Sequence, residues 1–209
     1  SSGGERSDHR APMHPVGESD SERCANREGT GSGHRLLGHD GAVTGPLEFV
    51  GSDLVHMDKG TFMWVSIKIF RCDPDSSDEA LLTALIAHRQ YRDHYAGGDP
   101  EDQAQDDLHG PYWLAAITPT SFSPTDIRAA THEIQAWADD YRVQGDESQE
   151  PLASQVFPFL AGEQIYRLED LRETAQHEWG WVVGNAGFYE YVVIDRSNSR
   201  LSLLVASDD

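Results

Sequence analysis

Lysine is nearly missing from this sequence. Only Lys59 and Lys68 occur among 209 residues, and the 16 bases face 36 acids, for a formal net charge of −20. Such a chain is excluded as a generic binder of nucleic acid or of an anionic membrane, because both surfaces would repel it. The excess of Arg over Lys points to a GC-rich bacterial genome or to a high-salt organism. In the second case the acidity would be a solvation device with no partner. Cysteine is equally scarce. Cys24 and Cys72 show no spacing that indicates a bridge, which fits a reducing compartment and predicts a cytoplasmic protein. No apolar run approaches the roughly 18 residues needed to cross a membrane. The longest, residues 62–70, is interrupted by Ser66 and Lys68. No basic-then-apolar leader opens the chain. Nucleophile signatures are missing too: there is no Gly-x-Ser-x-Gly, no Ser-x-x-Lys and no Cys-x-x-Cys.

What remains is enough for a folded domain. Hydrophobic residues make up 38% of the chain and five Trp are present, so a substantial core is available. Residues 1–43 carry only scattered apolar positions (Val16, Leu36, Leu37) with no period, and read as a disordered arm. Its Gly29-Thr-Gly-Ser-Gly33 run lacks the Gly-Lys-Ser/Thr ending of a phosphate loop and reads as linker. Residues 44–209 read as one domain.

Within that domain residues 62–72 form the clearest strand. Met63, Val65, Ile67 and Ile69 line one face, and the mixed set Trp64, Ser66, Lys68 and Phe70 lines the other. A helix is predicted over 78–95 from Leu81, Leu82, Leu85 and Ile86. Residues 112–118 read as a buried strand. Ser123-Pro124-Thr125-Asp126 reads as a helix start, with Ser123 at the cap, followed by the stripe Ile127, Ala130, Ile134, Trp137, Tyr141. Residues 156–160 hold Pro158 and read as edge strand or irregular. A third helix is predicted over 168–179. Two β-rich runs, 189–195 and 201–206, flank a polar turn and form a terminal hairpin. The elements mix without strict alternation. The predicted class is therefore α+β: an antiparallel or mixed sheet of about five strands, with about three helices packed mainly on one face.

The chemistry-bearing candidates are few. His88 and His94, six apart, do not share a helix face. His132 and His177 precede Glu without completing His-Glu-x-x-His, and read as surface residues. His88 borders an apolar stripe. His109, before Gly110-Pro111, could sit at a pocket mouth. These two are the catalytic candidates, each as a general base beside a carboxylate. Asp73-x-Asp75-x-x-Asp78-Glu79 fails as a calcium loop, because Ser77, Asp78 and Ala84 stand at its fifth, sixth and twelfth positions. It reads as a helix N-terminus. No metal or cofactor is expected. Cys72 follows a strand beside acids, where a thiolate is disfavoured. Trp179 and Trp181, which flank Gly180, read as core residues, with one ring presented outward as a contact as the alternative.

The charge is uneven. Residues 73–107 hold ten acids against Arg89 and Arg92. Asp99, Glu101, Asp102, Asp106 and Asp107 fall within nine residues, a docking surface for a basic protein partner or a solvated loop. Two functions follow: a non-enzymatic acidic binding or regulatory protein of the toxin-neutralising or inhibitor kind, and a small-molecule enzyme with a His/carboxylate site at strand-end loops. The protein is expected to be a monomer, or a homodimer through an edge of the terminal hairpin.

Overall fold

The computed structural model describes residues 45–57, 62–95, 107–140, 151–185 and 187–208. The expected arm over 1–43 lies outside them, as do Asp99, Glu101, Asp102 and Asp106. The class is α+β. Strands β1 (Leu47–His56), β2 (Met63–Cys72), β5 (Phe122–Thr125), β6 (Gln164–Leu168), β7 (Tyr189–Asp195) and β8 (Arg200–Asp208) form one antiparallel sheet in the order β1-β2-β8-β7-β6-β5. The two-residue strands β3 (Leu108–His109) and β4 (Tyr112–Trp113) form a separate hairpin. No helix among the described residues is long and apolar enough to cross a membrane.

The alternation read in β2 sets the architecture. Ser66 and Lys68 pair with Val205 and Leu203 of β8, which in turn pair with Glu190 and Val192 of β7. Trp64, Phe70, Val192, Ile194, Leu201, Leu203 and Val205 therefore share one face. Met63, Val65, Ile67, Tyr191, Val193, Leu204 and Ala206 share the other. Helices α1 (Asp78–Ala87) and α3 (Arg172–Ala175) cover the first face through Leu81, Leu82, Leu85 and Ala175. Helix α2 (Ile127–Asp140) and the short helical turns over 152–160 cover the second, through Ala130, Ile134, Trp137, Leu152, Val156 and Leu160.

Each long helix is also pinned to the sheet by a carboxylate that gathers a Tyr hydroxyl and an Arg. Asp78 accepts from Tyr166 of β6 and from Arg196 Nη2 at 2.5 Å. Glu133 of α2 accepts from Tyr191 of β7 and, through both oxygens, from Arg167 of β6 at 2.6 and 2.7 Å. The fork-on-carboxylate geometry is the strong form of such a pair. At both acids partial burial works to raise the pKa, but the hydrogen bonds from Tyr and Arg outweigh it and hold the carboxyl below its usual value.

Several local readings change. Helix α1 stops at Ala87, because His88 turns extended (ψ 140°) and a single 3-10 turn follows over Arg89–Tyr91. Its start is as expected: Ser77 Oγ accepts from Ala80 N, and Asp78 and Glu79 occupy the first turn. Asp73 accepts from Asp75 N and from Ser76, so the acidic run is spent on backbone and turn donors. Ser123-Pro124-Thr125 is strand β5, not a helix start; Asp126 accepts from Arg128 N and Ala129 N and so caps α2. Pro124 is tolerated because β5 is an edge. Tyr112–Trp113 is strand, but Leu114–Ala116 is a 3-10 turn. The predicted helix over 168–179 shrinks to four residues, since Leu168 belongs to β6 and Gln176 bridges to Tyr112. The terminal hairpin has no free edge for a second copy: β7 and β8 are interior strands flanked by β6 and β2.

The depressed carboxyls of Asp78 and Glu133 set an acid limit. Depressed groups stabilise the fold above the unfolded carboxylate range of about pH 4, and that contribution is lost as pH falls through the folded values. Glu133→Gln is expected to cost about 1–3 kcal/mol at neutral pH and to shrink the fall in urea midpoint below about pH 4. An unchanged midpoint and acid limb would remove the pinning role.

Candidate functional site

The mixed face of the sheet places Lys68 and Glu190 in the interior, where an unpaired charge costs several kcal/mol. Each finds its partners on the segment that follows α1 and on the β3–β4 hairpin. Lys68 Nζ donates to Gln90 O at 2.8 Å and to Asp93 Oδ2 at 2.7 Å, and lies 4.8 Å from the centre of the Tyr95 ring. Burial works to raise the pKa of Asp93, but the Lys68 ammonium and its hydrogen bond prevail and lower it. Tyr95 adopts φ +58°, a costly conformation for a bulky residue, and its ring stacks on Trp64.

Glu190 is fully buried and uses both oxygens. Tyr91 donates its hydroxyl to Oε1 at 2.9 Å, and His109 Nε2 meets Oε2 at 2.5 Å. The other ring nitrogen of His109, Nδ1, faces the backbone carbonyl of Tyr91. A carbonyl only accepts, so Nδ1 donates to it, and Nε2 is left facing the Glu190 carboxyl. The rings of Tyr91 and His109 stack in parallel, 3.7 Å between centres. Burial first, and then the Glu190 charge, push the Tyr91 phenol well above its ordinary range, so it stays a donor.

This places the two catalytic candidates. His109 does meet a carboxylate, but it is fully buried and both its nitrogens are engaged, which leaves none to take a proton from a substrate. His88 accepts from Gln90 N at 3.1 Å and packs edge-on against Phe70. Burial lowers its pKa. No carboxylate lies among these contacts of His88. His177, read as a surface residue, is buried: Nε2–H donates to Gly110 O at 3.1 Å, and Nδ1 accepts from Trp179 N at 3.3 Å. Cys72 is buried, and burial raises its thiol pKa.

The two buried histidines hold the β3–β4 hairpin from both sides. Gly110 N donates to Asp93 O at 2.8 Å, and His177 N donates to Pro111 O at 3.1 Å. Gly110 has φ +51°, and a Cβ there would collide with the Phe188 ring. Gly180 lies so close to the Pro111 carbonyl that a side chain would overlap it. The hairpin and the turn after α3 are thus in direct contact, and both carry exposed indoles. Trp113 is 44% exposed, with its ring 5.8 Å from that of His177. Trp179 and Trp181 are 61% and 63% exposed, which corrects their reading as core residues. Asp107, the one member of the acidic run within the described residues, is exposed, and its carbonyl accepts from Leu114 N at 2.7 Å. Glu173 and Glu178 are exposed on the neighbouring segment. The one local base, Arg172, is occupied by Asp170 and by the Gly184 carbonyl.

Comparison with protein-family models, with curated proteins and with solved structures finds no match for the chain. The site is therefore read from its own geometry. The hairpin lock is testable by stability. His109→Ala removes one partner of a buried pair and is expected to cost about 3–5 kcal/mol; Tyr91→Phe leaves one Glu190 oxygen without its donor, at about 1–3 kcal/mol. Urea midpoints within about 0.5 kcal/mol of wild type for both would show that the network does not hold the fold.

Proposed function

We propose that this is a non-enzymatic binding or regulatory protein of the cytoplasm, whose acidic and aromatic face engages a basic protein partner in the manner of an inhibitor or toxin-neutralising protein. The observation that carries the reading is the exposure of Trp113, Trp179 and Trp181 on two touching segments beside Asp107, Glu173 and Glu178. Trp is the side chain most often found at the energetic centre of an interface, and it is seldom left this exposed without a use.

Charge supports the same reading. The described residues carry 20 acids and nine bases, a net of −11. Six of those bases (Lys68, Arg71, Arg167, Arg172, Arg196, Arg200) already sit in ion pairs with acids of the same chain. The net negative charge creates a field that steers a basic partner. In the chain, Asp99, Glu101, Asp102 and Asp106 run directly into Asp107 at the border of this face. The network around His109 spends both of its nitrogens, so the alternative of a His/carboxylate enzyme would have to rest on His88, whose Nδ1 accepts from Gln90 N and which lines a cavity with Ser77 and Glu79.

A pull-down from native lysate tests the proposal, with wild type beside a Trp113→Ala/Trp179→Ala/Trp181→Ala variant. The expected outcome is a basic protein retained at low salt by wild type, released at high salt, and lost in the variant. Absence of any salt-sensitive basic protein, or equal retention by the variant, would overturn it.

A further inference from the structure

The chemistry of the face narrows the kind of basic partner. Residues 107–113 and 169–185 hold five acids (Asp107, Glu169, Asp170, Glu173, Glu178) and one base, Arg172. Arg172 is not available to a ligand, because its Nη1 and Nη2 bond to Asp170 and to Gly184 O at 3.4 and 2.7 Å. Asp170 and Glu169 are likewise engaged, Glu169 by Ser123 at 2.6 Å. Asp107, Glu173 and Glu178 are the exposed carboxylates left on the segments that carry the three indoles.

A flat ring next to a carboxylate suits one cation better than the other. Guanidinium is planar and weakly hydrated. It can stack on an indole while its in-plane N–H groups bond a carboxylate. An ammonium is compact and strongly hydrated, and gains most of its attraction from charge alone. On this basis, and resting on the proposed binding role, we infer that the two touching segments that expose Trp113, Trp179 and Trp181 with Asp107, Glu173 and Glu178 recognise an arginine-rich protein segment, with guanidinium groups stacked on the indoles. Charge complementarity selects a basic segment, and the exposed aromatic rings select arginine within that class.

The fold holds the backbone that carries two of these rings. Trp113 is held on a hairpin fixed by Gly110, His109 and His177, and Trp179 by its backbone bond to His177. A face built on buried struts loses little freedom when it binds.

Deca-arginine and deca-lysine carry the same charge and separate the two contributions. The expected result with full-length protein, followed by Trp fluorescence and calorimetry at low salt, is deca-arginine binding at least about tenfold tighter than deca-lysine, with quenching by deca-arginine alone. In Trp113→Ala/Trp179→Ala the ratio falls towards one, because deca-arginine loses more affinity than deca-lysine. These side chains are exposed, and circular dichroism checks that the variant folds. Equal affinities for the two peptides, or a ratio that the variant leaves intact, would overturn the arginine inference and leave the acidic docking role standing. Failure of both peptides to bind in a salt-dependent way would remove both.

Discussion

Glu190 sits in β7, one of the two central strands of the sheet, with no access to water, and the rest of the molecule is arranged to make that tolerable. A carboxylate there demands two donors. They come from Tyr91, after α1, and from His109, on a hairpin 81 residues away in the chain. Bringing His109 to Glu190 places its other nitrogen on the Tyr91 carbonyl, and this ties the segment after α1 to the hairpin. Lys68, on the same sheet face, draws Asp93 and the Gln90 carbonyl onto it in the same way. The buried charges are thus balanced locally and the cover over the sheet acquires a single registry. Specification of one arrangement is the best-attested use of buried polar pairs, whose net contribution to stability is small when compared with apolar replacements.

The same device recurs at the edges of the fold. Asp78 collects Tyr166 and Arg196, Glu133 collects Tyr191 and Arg167, and Glu190 collects Tyr91 and His109. Each joins a strand to the element packed over it. The chain's acids therefore divide into two populations. One is consumed in these joints and in helix caps. The other is exposed among the described residues, and Asp107, Glu173 and Glu178 belong to the segments that carry the three exposed tryptophans. The first population explains how an acidic chain folds, and the second supplies the charge that a partner would neutralise.

Period-two patterning made much of the sheet legible. The strict alternation of β2 announced one apolar face and one mixed face, and the terminal hairpin followed from two β-rich runs about a polar turn. Other parts were hidden by local signals that tertiary context overrode. Ser123-Pro124-Thr125-Asp126 carries every mark of a helix start, yet only Asp126 caps; the three residues before it pair with β6 on an edge where Pro124 does no harm. Glu190 was invisible as a partner of His109 because no spacing rule spans 81 residues. His177 looked like a surface residue because a helix was expected there, and the four-residue α3 instead turns it inward. Trp179 and Trp181 were read as core from the average burial of Trp, and at this turn that average fails. Of the acidic run, Asp107 alone falls within the described residues.

The proposed function turns on His109 being a strut and not a base, since that moves the proposal from chemistry in the core to recognition at the surface. The direct measurement is the nitrogen NMR of the His109 imidazole in the folded protein at neutral pH. A protonated Nδ1 with a slowly exchanging hydrogen, bonded to the Tyr91 carbonyl, is the result the account predicts. A bare Nδ1, or a ring hydrogen exchanging freely with water, would contradict it and return His109 to the list of candidate bases.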